Sequence, residues 1–147
     1  MKNILNKITL LILFCVMYSF VIAQQSDKSL ASERQKLLSK EFVMKIPTSF
    51  HTQKDNYEEG VVYFYSFIDT AYIIVFQGAL MEFPIDQYQP QITDFTNNKK
   101  ITIGKTDNKY WRKDILGNIR IYYGNVTSEN KAIYDSVLDN IEIFPLK

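Results

Sequence analysis

Val61-Val62-Tyr63-Phe64-Tyr65-Ser66-Phe67-Ile68-Asp69-Thr70-Ala71-Tyr72-Ile73-Ile74-Val75-Phe76-Gln77 is the stretch that decides the fold. Two runs rich in aromatic and β-branched residues flank Asp69-Thr70, the pattern of two strands joined by a tight turn. A two-residue loop pairs Ile68 with Ala71, Phe67 with Tyr72, Tyr65 with Ile74 and Tyr63 with Phe76. One face then carries Tyr63, Tyr65, Phe67, Tyr72, Ile74 and Phe76. The other carries Val62, Phe64, Ser66, Ile68, Ile73 and Val75. Neither face is polar, whereas a half-exposed antiparallel hairpin alternates apolar with polar residues. This reading places the hairpin in the centre of a sheet that is covered on both faces.

Downstream, Gly78 to Phe83 extends the second strand. Ile85, Tyr88, Ile92 and Phe95 keep helical spacing, but Pro90 interrupts them, so any helix here starts at Pro90. Ile101 and Ile103 mark a further strand. Tyr110–Ile115 and Ile119–Tyr123 form a second hairpin around Leu116-Gly117-Asn118. A two-residue Gly117-Asn118 loop sets Arg112 and Asp114 on the face of Ile119 and Ile121. A three-residue loop instead groups Trp111, Ile115, Ile119, Ile121 and Tyr123 with only Lys113. A one-residue slip moves every side chain to the opposite face, so burial selects the three-residue loop. A final helix capped by Thr127 or Ser128 carries Ile133, Val137, Leu138 and Ile141 as its apolar stripe, and an extended segment closes the chain.

Upstream, Leu30, Ala31, Leu37 and Leu38 recur at helical spacing and predict a helix over 30–39, with Ser26, Asp27 or Ser29 to cap it. Phe42, Met44 and Ile46 alternate as a short strand that ends at Pro47. His51 to Gly60 is polar and reads as an exposed loop.

The first 23 residues combine Lys2 and Lys7, an apolar run from Ile8, and Ala23 before Gln24-Gln25. These are the parts of a secretory signal peptide. Cys15 sits inside the apolar run behind Phe14, not at a lipoprotein cleavage position. Residues 1–23 are therefore assigned to a signal peptide, 24–29 to a flexible lead and 30–147 to one domain. The expected localisation is periplasmic or extracellular, with no stable membrane span once the signal is cleaved. The start resembles those of exported Bacteroidetes proteins. Cys15 is the only cysteine, so the exported chain forms no disulfide. Without the signal's two lysines, 15 basic residues stand against 16 acidic ones. No basic run exceeds Asn97-Asn98-Lys99-Lys100 or Arg112-Lys113, which argues against nucleic-acid binding through phosphate contacts.

Phe42-Val43-Met44-Lys45-Ile46-Pro47 with Phe50 resembles the strand-then-proline opening of PsbP-like domains. Ile133-Tyr134-Asp135-Ser136-Val137-Leu138-Asp139-Asn140-Ile141-Glu142-Ile143 resembles their closing helix and final strand. The resemblance implies an α+β fold, an antiparallel β-sheet with helices packed on both faces. It also implies an accessory or binding role, since the family spans an extrinsic photosystem II protein, a Ran-binding import factor and bacterial envelope proteins. It assigns no functional residue here.

Catalytic chemistry has thin support in the sequence. Ser49, His51 and Asp55 are the residue types of a nucleophile, a base and an orienter, but Thr48-Ser49-Phe50 is not a nucleophile elbow. One histidine with Asp55, Glu58 and Glu59 is a poor transition-metal set. The remaining acids are dispersed, not paired as glycoside hydrolysis requires. No catalytic residue, metal ligand or cofactor is assigned.

The binding candidates are aromatic. Tyr63, Tyr65 and Tyr72 share a face in the expected register, and Trp111 and Tyr123 can join them in a cleft. Tyrosines at strand spacing equally suit a core edge beneath a helix. Thr70 in Asp69-Thr70-Ala71 and Ser136 in Asp135-Ser136-Val137 resemble the O-glycosylation acceptors of Bacteroidetes, and Asn125-Val126-Thr127 fits the N-glycosylation pattern. The functional expectation is a non-enzymatic envelope accessory or binding protein that engages a protein partner or a small apolar ligand. The alternatives are a glycan-binding module built on Tyr and Trp platforms, then a hydrolase using His51 and carboxylates.

Overall fold

The computed structural model describes residues 29–79, 81–96 and 98–146. Residues 1–23, expected to be a signal peptide, and 24–28 of the expected lead lie outside the described residues. The chain folds into two antiparallel sheets and one short helix, not a sheet with helices on both faces. The strands are β1 (Leu30–Lys36), β2 (Lys40–Pro47), β3 (Phe50–Tyr57), β4 (Gly60–Phe67), β5 (Tyr72–Gly78), β6 (Ile92–Thr96), β7 (Lys99–Thr106), β8 (Lys109–Leu116), β9 (Ile119–Val126) and β10 (Glu142–Pro145). The helix is α1 (Lys131–Asp139), and Pro84–Gln87 forms a 3-10 turn.

The larger sheet joins two meanders, β3-β4-β5 and β6-β7-β8-β9, along the β5–β9 pair, giving the order β3-β4-β5-β9-β8-β7-β6. The smaller sheet has the order β1-β2-β10. It packs with α1 on the inner face of the larger sheet. Phe42, Met44 and Ile46 of β2 and Tyr134, Val137 and Leu138 of α1 meet Tyr63, Tyr65, Phe67, Ile73, Val75, Ile121 and Tyr123 there. Part of the outer face is covered by the crossover from β5 to the far edge strand β6, not by a helix. Ile85 is buried in this crossover, with Met81 and Phe83 packed beside it, over Val62, Ile74, Phe76, Trp111 and Tyr122.

Four element readings change. Strand β5 ends at Gly78, and Met81 to Phe83, expected to extend it, belong to the crossover. The helix expected over 30–39 is strand β1. Its period is two, with Ala31, Glu33 and Gln35 half-buried opposite Ile46, Met44 and Phe42. The loop expected over 51–60 is mostly edge strand β3, polar because much of it faces solvent. No helix starts at Pro90. The 3-10 turn has Pro84 in its first positions, and β6 follows. The strand at Ile101 and Ile103, the final helix and the closing strand are found as expected, although Asn130, not Thr127 or Ser128, precedes α1.

Both hairpins are slipped by one residue from the expected register. In the first, Tyr65 pairs with Ile73 and Tyr63 with Val75. The loop takes three residues, Ile68–Thr70, closed by Phe67 N–H donating to Ala71 C=O at 3.0 Å. Thr70 occupies the left-handed region, φ 67°, which such a loop requires. In the second, Leu116 pairs with Ile119, so the loop is the two-residue Gly117-Asn118. Gly117 has φ 60°, as a first loop position without a Cβ allows. Arg112 and Asp114 therefore face inward with Ile121 and Tyr123, and Trp111 faces outward.

Candidate ligand-binding face

The slips divide the expected aromatic cluster. Tyr63, Tyr65 and Tyr123 lie buried in the inner core, while Tyr72 and Trp111 lie on the outer face. Tyr63 donates its hydroxyl to Lys36 C=O at 2.8 Å, and Tyr123 donates to Asp135 at 2.7 Å. The Tyr65 hydroxyl is buried without a partner. Burial first, then the nearby Glu33 carboxylate, pushes the Tyr65 pKa far above the usual phenol range. These three residues belong to the core, and no cleft unites them with Tyr72 and Trp111.

The inner face also holds a charge network. Arg112 grips Asp114 with two hydrogen bonds, 2.8 and 2.9 Å, and reaches Asp139 on α1 at 2.7 Å. Lys99 on β7 lies 2.9 Å from Asp114. Asp135 receives Tyr123 and Lys131 and lies 3.6 Å from Arg112. Arg112 and Asp114 are 3% and 0% exposed, so each charge is buried with its partners supplied. Burial alone would lower the Arg112 pKa, but hydrogen bonds to Asp114 and Asp139 outweigh it and hold the pKa above the ordinary value. The network clamps α1 to the sheet.

On the outer face, topology decides what stays open. The crossover runs from β5 over β9, β8 and β7 to reach β6, and polar bonds fix it. Asp86 accepts Phe83 N–H at 2.9 Å, Lys113 at 2.7 Å and the Tyr122 hydroxyl at 3.3 Å, and Arg120 donates to Met81 C=O at 2.7 Å. It does not cover the end of β3, β4 and β5 where His51, Ser66 and Tyr72 lie side by side. Phe64 is 37% exposed there, and its ring lies 5.7 Å from that of Tyr72, 19° from parallel. Tyr88, also 37% exposed, borders this strip and packs at 5.9 Å on the buried Trp111. Burial first, then Tyr88, pushes the Tyr72 pKa up to about 12.

Phe64, Tyr72 and Tyr88, with Trp111 beneath, therefore form a partly exposed aromatic strip. Of these, the sequence reading named Tyr72 and Trp111. Phe64 escaped it because the expected register put Phe64 in a closed layer, and Tyr88 because it sits on an irregular segment.

The remaining candidates are dispersed. His51 is exposed on β3, and Asp55 lies four residues along the same strand, roughly 13 Å away. Ser49, in the β2–β3 turn, has φ 68° and makes no hydrogen bond with either. Among the described residues no group of His, Cys, Asp and Glu is placed to hold a metal, and no helix is long and apolar enough to cross a membrane. Thr70 is exposed on its loop and accepts a hydrogen bond from Asn125 at 2.8 Å, while Ser136 is exposed on α1. A cavity of about 290 Å³ at the Thr70 end of the sheets is lined by Pro47, Ser49, Phe67, Ile68 and Tyr134. No family model, curated protein or solved structure matches the chain.

Proposed function

We propose that this chain is an exported, non-catalytic binding protein that holds its partner against the open aromatic end of the outer face. The observation that carries the reading is the Phe64–Tyr72 pair, nearly parallel, with Phe64 exposed and Tyr72 half-buried where the crossover does not reach. Partly exposed aromatic rings on a rigid sheet supply contact area at little entropic cost. The separation of Ser49, His51 and Asp55 speaks against a hydrolase, since nucleophile, base and orienter must come within hydrogen-bond reach.

The test is retention of native envelope components on the immobilised protein, residues 24–147. Phe64→Ala should remove the retained material, and Phe95→Ala, an exposed aromatic change on β6, should not. Equal retention by both variants refutes the reading. Export is checked separately: N-terminal sequencing of native protein should begin at Gln24.

A further inference from the structure

The floor and margin of the strip narrow what it can hold. Tyr72 lies opposite Gly124 across the β5–β9 pair, and a Cβ on Gly124 would stand 2.3 Å from the Tyr72 ring carbon Cζ. The missing side chain lets the tyrosine ring lie down over β9. One ring face then rests on the backbone and the other turns outward. Phe64, 19° from parallel with ring centroids 5.7 Å apart, stacks on it with an offset, so the two rings present a stepped apolar surface. Trp111 repeats the device over Gly104, where a Cβ would stand 2.3 Å from the indole, but Tyr88 covers it.

The margin is polar with little charge. Ser66 stands opposite Tyr72 and His51, and Gln53 stands opposite Phe64. No side-chain hydrogen bond to a described residue engages Ser66, His51 or the hydroxyls of Tyr72 and Tyr88. On this face of β3, β4 and β5 the one formal charge is Asp55, which accepts the Gln53 amide at 2.9 Å.

Resting on the binding role proposed above, we infer that this surface takes a neutral glycan built of all-equatorial pyranose rings. Such a ring turns its C–H bonds to both faces and its hydroxyls to the rim. The C–H face packs on Phe64 and Tyr72 while the rim meets Ser66, His51, Gln53 and the tyrosine hydroxyls. An anionic ligand would find no lysine or arginine on this face of the three strands, since Lys54 of β3 stands opposite Tyr63 on the other face. A quaternary ammonium needs rings on several sides, and these two are nearly parallel. A protein partner of ordinary size needs some 20–30 residues a side, and the strip is bounded by the crossover and the sheet edge.

The chain has one tryptophan, Trp111, which touches Tyr88 and so reports occupancy of the strip. Titrating cellohexaose or chitohexaose into residues 24–147 should change its fluorescence saturably. Phe64→Ala should weaken binding about tenfold or more. Phe95→Ala should leave it unchanged, with circular dichroism confirming that both variants fold. If neither sugar binds at millimolar concentration, yet Phe64→Ala still strips a protein from the retained envelope material, the glycan is wrong and the binding role stands. If Phe64→Ala alters neither, both are wrong.

Discussion

Replacing Tyr65, Tyr63 and Tyr123 one at a time by phenylalanine should give stability changes of different sign. All three rings lie in the same inner core and differ mainly in what their hydroxyls touch. Tyr65 is 0% exposed, and its hydroxyl has no partner. An unpaired buried hydroxyl costs about 1–3 kcal/mol in lost hydration, so Tyr65→Phe should stabilise the protein by about 1 kcal/mol. Tyr63→Phe breaks the 2.8 Å bond to Lys36 C=O. Lys36 is exposed, so water can replace the lost donor and the loss should stay near 0.5–1 kcal/mol. Tyr123→Phe removes a 2.7 Å bond to the Asp135 carboxylate beneath α1. Bonds to charged groups contribute about 1.5–3 kcal/mol, so this variant should be the weakest. Urea denaturation measures all three, with the midpoint moving and the slope unchanged. A Tyr65→Phe variant destabilised as much as Tyr123→Phe would mean that the Tyr65 hydroxyl has a strong partner, and the account of the inner core would fail.

Breaking the inner charge network from one side should be costly. Arg112→Met or Asp114→Leu should each lose about 3–5 kcal/mol, while the double variant should lose less than their sum, because Lys99 and Asp139 are partly exposed and can rehydrate. The protein should unfold in alkali. The pKa values of Tyr65, Tyr122, Tyr123 and Tyr134 are raised chiefly by burial, so above pH about 10 the unfolded chain releases protons that the folded chain keeps. Stability should be intact below that pH and fall by roughly 1.4 kcal/mol per group per pH unit above it; tyrosinate absorbance that rises gradually without loss of fold would count against this burial. If Thr70 carries a glycan, native protein should exceed the mass of residues 24–147, and Thr70→Ala should remove the excess; an unmodified native mass ends that idea.

What was legible in the sequence was the existence of elements, and what was not was their pairing. The runs at 61–68 and 71–77 announced a hairpin in a doubly covered sheet, because β-branched and aromatic residues without polar alternation fit little else. Its register depended on Thr70 entering the left-handed region, which a β-branched residue normally avoids. Strand β1 looked helical because its inward positions include Glu33 and Gln35, polar residues that hide the period of two. Strand β3 looked like a loop because an edge strand needs few apolar residues. Of the strip, Tyr72 and Trp111 were within reach of the sequence, but the residues that flank them were not.

The second hairpin shows why local burial is an unsafe guide to register. Excluding Arg112 and Asp114 from the inner face is sound only if they are judged alone or as a pair. Their full set of partners comes from β7 and α1, through Lys99, Asp135 and Asp139, and no window around the hairpin contains them. Once α1 docks, the inward register satisfies both charges and turns Trp111 out over Gly104 on the outer face. There it becomes the base on which Tyr88 rests, at the border of the open strip. The buried ion cluster and the aromatic strip thus follow from one register, and shifting β8 by one residue would abolish both.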